Sequence, residues 1–186
     1  MMNYTFIALA ENKPGVLNRV TSLFRRRNFN IVSLSAGTTE NPEVSRMTIV
    51  AECPNGDVDA HRIEANLYKL VNVIDVQDVT LQSTVTRDLA LIKVRVAPER
   101  RAEVNGLAEI FRARIVDVAV DSVVVEITGT EDKIEGLIEL LRPIGIVEMV
   151  RTGQVSMTRG VNDGVRRIGM NGNGVEHVMD MAEMTP

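Results

Sequence analysis

Residues 4–79 and 89–150 spell the same succession of apolar patterns, and that repetition limits the fold more than any other feature. Tyr4–Ala10 is rich in β-formers and reads as a strand. After Pro14-Gly15, Val16, Val20, Leu23 and Phe24 fall at helical spacing, and Arg25, Arg26 and Arg27 stand where cations favour a helix C-terminus. Asn30–Ala36 reads as a second strand. "GTTENPE" then leads into Ser45–Glu52, where Met47, Ile49 and Ala51 alternate with Thr48 and Val50. Asp57 or Asp59 can cap a helix with Ile63, Leu67, Leu70 and Val71 on one stripe, and Val73–Val79 supplies a last strand.

The order is β-α-β-β-α-β, the split βαβ or ferredoxin-like unit. It recurs as Leu89–Ala97, a helix opened by Pro98 with Val104, Leu107, Ala108 and Phe111, then Ile115–Val120 and Val123–Thr128 joined by Asp121-Ser122. A helix with Ile134, Leu137, Ile138 and Leu141 on one face and a strand over Ile144–Val150 close the copy. The expected fold class is therefore α+β, two ferredoxin-like βαββαβ domains over residues 1–82 and 83–160, joined near "QSTVTRD". From Gly160 the chain turns Gly- and Met-rich. Residues 161–186 read as a disordered tail, with a Met-rich docking segment as the sharper alternative.

Composition removes several functions. With 186 residues, 45 % of them apolar, the chain can bury two small cores, but four Phe, two Tyr and no Trp make them aliphatic. A net charge of -4 argues against a general polyanion binder. A ferredoxin-like sheet that binds RNA stacks bases on aromatics of its two central strands. Here Ser45–Glu52, expected to be central, has none, so no nucleic-acid partner is expected. The single Cys53 forms no internal disulfide, no Cys/His cluster has metal spacing, and no apolar run approaches the roughly 18 residues of a membrane span. The start lacks the pattern of a secretory signal, so the expectation is a soluble, cytoplasmic protein without a membrane.

Catalytic groups are scarce. His61 and His177 have no Cys, Ser or carboxylate motif of nucleophilic spacing, and Glu131 and Asp132 are explained by capping and the helix dipole. No catalytic and no metal-ligating residue is assigned. The stretch "ENKPGVLNRV" is different. It lacks the further glycines of a dinucleotide loop and the Gly-Lys-Ser/Thr of a P-loop. Yet a helix N-terminus there offers free N–H groups to an anion, Pro14 suits the first helical turn, Gly15 lets a ligand approach the backbone, and the Asn12 amide both donates and accepts. A ligand carrying a carboxylate and an ammonium would use both. A plain helix-capping turn fits the loop equally well.

The residues "ALAENKPGVLNRVTSLFRRRNFNIVSLSAG", "SRMTIV", "IEANLYKLVNVIDVQDV", "DLALIKVRV", "EIFRARIVDV" and "RTGQVSMTRG" run in order from about Tyr4 to Gly160. Together they resemble the small, regulatory subunit of acetolactate synthase (acetohydroxyacid synthase), whose first unit is an ACT domain. The resemblance implies a chain with no catalytic role of its own and no cofactor. It would bind and activate the large catalytic subunit, which carries thiamine diphosphate, magnesium and usually FAD, and confer feedback inhibition by a branched-chain amino acid, usually valine. It also implies a homodimer through the ACT domains. The matching effector positions are Asn12, Gly15, Val16 and Leu17, with Asn30 and Ile31 contributed across the interface. Asn18 departs from the smaller hydroxyl residue of some members. The second repeat has "VAPERRAEVNG" at the equivalent turn, so effector binding is expected in the first half alone. The rival expectation is a free-standing tandem-ACT amino-acid sensor acting on a different protein target.

Overall fold

A computed structural model of the chain describes residues 2–160 and the backbone of 169–170 and 176–177. The first unit runs β1 (Met2–Glu11), α1 (Val16–Arg26), β2 (Ile31–Thr38), β3 (Val44–Cys53), α2 (Asp57–Leu67) and β4 (Val73–Asp78). Its antiparallel sheet has the order β2-β3-β1-β4. Alternation along β1 and β3 turns Tyr4, Phe6, Ala8, Ala10, Met47, Ile49, Ala51 and Cys53 toward the helices, where they meet Val20, Phe24, Ile63 and Leu67. β1's aromatic side chains thus lie in the core and offer no platform for bases.

Each helix boundary has a local cause. Arg25 and Arg26 occupy the last turn of α1, and Asn28 at φ 58° ends it in the left-handed conformation that asparagine tolerates. The stripe expected for α2 overran. The helix stops at Leu67, Leu70 only partly packs on the core, and Val71 is 91 % exposed. Three-residue turn bonds, Lys69 N–H to Asn66 O and Leu70 N–H to Leu67 O, bend the chain toward β4 while the apolar spacing continues through the turn.

The second unit runs β5 (Thr84–Arg95), a short 3-10 turn (Pro98–Arg100), α3 (Arg101–Ile110), β6 (Arg114–Val118), β7 (Ser122–Gly129), α4 (Glu131–Gly145), β8 (Ile146–Arg151) and β9 (Val155–Thr158). Its sheet order is β6-β7-β5-β8. Ala90, Ile92, Val94, Val125, Ile127, Ile134, Leu137 and Leu141 form its core. The mixed α+β class and the two βαββαβ orders are as the sequence implied. The strand expected from Leu89 starts earlier: Thr84–Arg87 begin β5 and pair with β9, Thr84 opposite Thr158 and Arg87 opposite Val155. The tail reading for 161–186 lies outside the described residues, apart from a backbone pairing of Gly169–Met170 with Glu176–His177.

The units meet at the helix-free face of the first sheet. Arg46 donates from Nη2 to the Ser156 carbonyl at 2.7 Å, and Ser156 shares a hydroxyl hydrogen bond with Thr86 at 2.9 Å. Thr48 and Val50 on that face are both buried. The sheet is therefore covered on both sides.

Tyr4 gives the fold a measurable alkaline signature. Its hydroxyl donates to Asp57 Oδ1 at 2.6 Å, and that bond, with burial second, pushes the phenol up to about 12. The folded chain therefore holds this proton above the ordinary value of about 10, where the unfolded chain has released it. Stability should be fully present below about pH 10 and fall as pH climbs toward about 12. Urea unfolding across that interval should show the decline, and Tyr4→Phe should reduce the slope without abolishing it, because Tyr68 is raised in the same direction.

Candidate functional site

The turn after β1 is held by backbone bonds. Asn12 N–H donates to Glu43 O at 2.6 Å and Lys13 N–H to Glu11 O at 2.9 Å. Gly15 follows at φ 84°, a left-handed conformation costing other residues about 1–2 kcal/mol. A Cβ built there meets no atom within 4 Å, so the space in front of the helix is open. Pro14 was expected in the first helical turn. It lies instead ahead of Gly15, because the helix begins only at Val16.

The opening of α1 is electrostatically unspent. No side chain caps it, and its first turn holds no acid. The first intrahelical bond is Arg19 N–H to Gly15 O at 3.0 Å, so the N–H groups of Leu17 and Asn18 have no intrahelical acceptor, and that of Val16 reaches only Lys13 O at 3.4 Å. Convergent donors at the positive end of a helix dipole suit a carboxylate. Val16 points into the core, leaving only its backbone available, whereas Leu17 is about half exposed.

Asn12 also ties the turn to the loop before β3. Its Nδ2 donates to Pro42 O at 2.8 Å and its Oδ1 accepts from Ser45 Oγ at 3.0 Å, which leaves one acceptor site on the amide oxygen. A cleft of about 320 Å³ lies here, lined by Glu11, Asn12, Lys13, Pro42, Glu43 and Val44 among others. Below it, Asn72 donates to Glu11 and accepts from Arg19 Nη1 at 2.6 Å. The Asn72 amide and then Lys13 hold the Glu11 carboxyl below its usual range. Sequence reasoning missed Ser45, Glu43 and Asn72. They reach the loop across about 30 to 60 residues of chain, and no periodicity marks them.

Asn30 and Ile31 lie elsewhere. Ile31 pairs with Ala51, and Glu52 N–H donates to Asn30 O at 3.0 Å. Asn12 is tied to Ser45, six residues back along β3, which at strand rise is about 20 Å away. One chain therefore brings Asn12, Gly15, Val16 and Leu17 together but not Asn30 and Ile31. β2, which starts at that second pair, is an edge strand open on one side.

The remaining candidates are inert or structural. His61 is exposed, with Nδ1 at 2.6 Å from Asp57 O. Glu131 and Asp132 sit in the first turn of α4. Burial pushes the Cys53 thiol up to about 11, away from thiolate reactivity. Among the described residues no cluster of His, Cys, Asp and Glu could hold a metal, and no helix is long and apolar enough to cross a membrane. In the second unit a 3-10 turn replaces the glycine opening, and the Arg101 guanidinium donates to the carbonyls of Ala119 and Val120.

The chain is thus a pair of ferredoxin-like units, the first of which carries an open, glycine-led helix start. Residues 6–75 match the family described as the AHAS small subunit-like ACT domain, and residues 87–160 match the family of the small subunit of acetolactate synthase. A probable acetolactate synthase small subunit from Archaeoglobus fulgidus is 52 % identical over 159 residues, 86 % of this chain and 98 % of that protein. The acetolactate synthase small subunit of Bacillus subtilis is 50 % identical over 149 residues, covering 80 % and 86 %. The crystal structure of the small subunit from Thermotoga maritima superposes with a TM-score of 0.78 at 38 % identity, over 87 % of this chain and 100 % of that one. The chain belongs to the acetolactate synthase small-subunit family.

Asn12→Ala removes two side-chain hydrogen bonds from an exposed turn. It should cost about 1 kcal/mol in denaturant unfolding. Amide hydrogen exchange should quicken at residues 39–44 while the core strands remain protected.

Proposed function

We propose that this chain is the regulatory subunit that binds and activates the catalytic subunit of acetolactate synthase and makes it sensitive to a branched-chain amino acid, valine foremost. The observation that carries the reading is the uncapped start of α1 beside Asn12. The carboxylate of the effector sits on the N–H groups around Gly15–Leu17. Its ammonium meets amide oxygen from Asn12 and from Asn30 of a second copy, and its aliphatic side chain meets Ile31 across the seam.

Edge-strand geometry supports a site divided between two chains. Antiparallel pairing of two β2 strands about a two-fold axis sets the Ile31 end of one against the Thr38 end of the other. Thr38 pairs with Ser45, the partner of Asn12, so each dimer completes two sites. The chemistry belongs to the catalytic partner, which holds thiamine diphosphate, magnesium and FAD in the cytoplasm. This chain acts by linkage: effector binding favours one arrangement of the dimer and the partner favours another. A coupling of about 1–3 kcal/mol changes affinity roughly 5–150-fold.

Three measurements test this. The pure chain should make no acetolactate, yet raise the rate of the catalytic subunit and render it inhibitable by valine. Gly15→Asp sets a carboxylate against the ligand's own, and Asn30→His removes an amide oxygen, so either variant should activate within about twofold of wild type and lose feedback. Co-refolded, the two variants form mixed dimers in which one site carries both lesions and the other carries none. Valine sensitivity should partly return; a mixture as insensitive as its parents places the whole site within one chain.

A further inference from the structure

Arg151, Thr152 and Gly153 follow β8 in the second unit, yet they end against β2 of the first. Arg151 donates from Nε and Nη2 to Asp88 Oδ2 at 2.9 and 2.6 Å, and from Nη1 to Glu135. Thr152 Oγ1 lies 3.1 Å from Asp88 Oδ1 and 2.9 Å from the Gly153 carbonyl, with one proton to share between them, and Thr152 N–H donates to Leu89 O at 3.0 Å. Leu89 N–H returns a bond to Thr152 Oγ1 at 3.2 Å. Asp88 is 3 % exposed and both its oxygens are engaged, so the turn is anchored to β5 from two directions.

This anchored turn presents Gly153 at φ 76° directly to Ser33. A Cβ on Gly153 would stand 2.8 Å from Ser33 Cβ, closer than real Cβ atoms come. The Ser33 hydroxyl is buried without a hydrogen-bond partner, so packing alone makes the contact. Ser33 lies two residues beyond Ile31, and the β2–β3 register slips between them. The irregularity bends β2 and turns its start toward the second unit's side of the sheet, where Ser33 meets Gly153.

We infer that the Gly153–Ser33 contact, held by the Asp88–Arg151–Thr152 clamp, relays occupancy at Asn30–Ile31 to the second unit. The inference rests on the effector reading above. A shift of the β2 start cannot be absorbed at a contact without slack, and the clamp is too well bonded to yield. The displacement therefore passes to β5 and β8, and the second unit moves as a body. Gly153, Thr152 and Asp88 act here as positioning residues that touch no effector.

Two full-length variants test the relay in the reconstituted holoenzyme. Thr152→Val keeps the shape and the backbone bond to Leu89 O but removes the hydroxyl that meets Asp88, Gly153 O and Leu89 N–H, loosening the turn. Ser33→Val introduces a stronger strand former and crowds Gly153. Calorimetry on the isolated variants should give valine affinities within about twofold of wild type, and activation should change as little. Maximal inhibition of the holoenzyme should fall below about half of the wild-type value. By reciprocity, the ratio of valine affinities between free and assembled chain should shrink toward one. Wild-type inhibition in both variants overturns the relay, as does loss of valine binding by the isolated variants, which would make Ser33 part of the site. If Ser33→Val does not fold, Thr152→Val alone decides. If the wild-type chain binds no valine, the effector reading itself falls and the relay falls with it.

Discussion

Ten consecutive residue pairs join β1 to β3, from Met2 opposite Cys53 to Glu11 opposite Val44, and the first unit is arranged around that register. It sets Asn12 over Glu43 and Ser45 at one end of the sheet, and through β3 it sets Ile31 against Ala51 at the other. A slip by one residue would turn Phe6 and Ile49 away from the helices, so the aliphatic core enforces the register as strongly as the ladder does. The location of the loop before α1 is thus a consequence of core packing. So is its separation from the start of β2.

The two units share a plan and differ in what they leave open. In the first, the turn into α1 ends in a left-handed glycine on which a Cβ would meet no atom within 4 Å. In the second, Pro98 starts a 3-10 turn and the Arg101 guanidinium closes on the carbonyls of Ala119 and Val120. Equal folds therefore serve unequal ends. The second unit spends its polar contacts on β9, on the Asp88–Arg151 pair, and on the seam where Arg46 meets Ser156. Burying Asp88 costs desolvation that the two Arg151 donors on its Oδ2 and the Thr152 hydroxyl beside its Oδ1 offset.

Much of this could be read from residue types in order. Both βαββαβ successions, the core faces of α1, α3 and α4, and the glycine opening before Val16 follow from period, charge placement and backbone freedom, which act over a few residues. Misreadings arose where a period ran on after its element had stopped. Leu70 and Val71 continue the spacing of α2 through a turn, and Thr84–Arg87 looked like a connection because their partner, β9, lies about 70 residues further along.

The site divides along the same line. Asn12, Gly15, Val16 and Leu17 are neighbours in the chain, so one local conformation gathers them, and the open helix start they form was visible in ten residues of sequence. Ser45, Glu43 and Asn72 join them through pairings of 30 residues or more, and nothing in their local composition distinguishes them. Distances in the fold also separated Asn30 and Ile31 from the loop and brought Gly153 onto Ser33. Backbone preferences belong to each residue and survive in the written order. Contacts across the sheet and between units belong to pairs, and they exist only once hydrophobic burial has chosen which strands lie side by side.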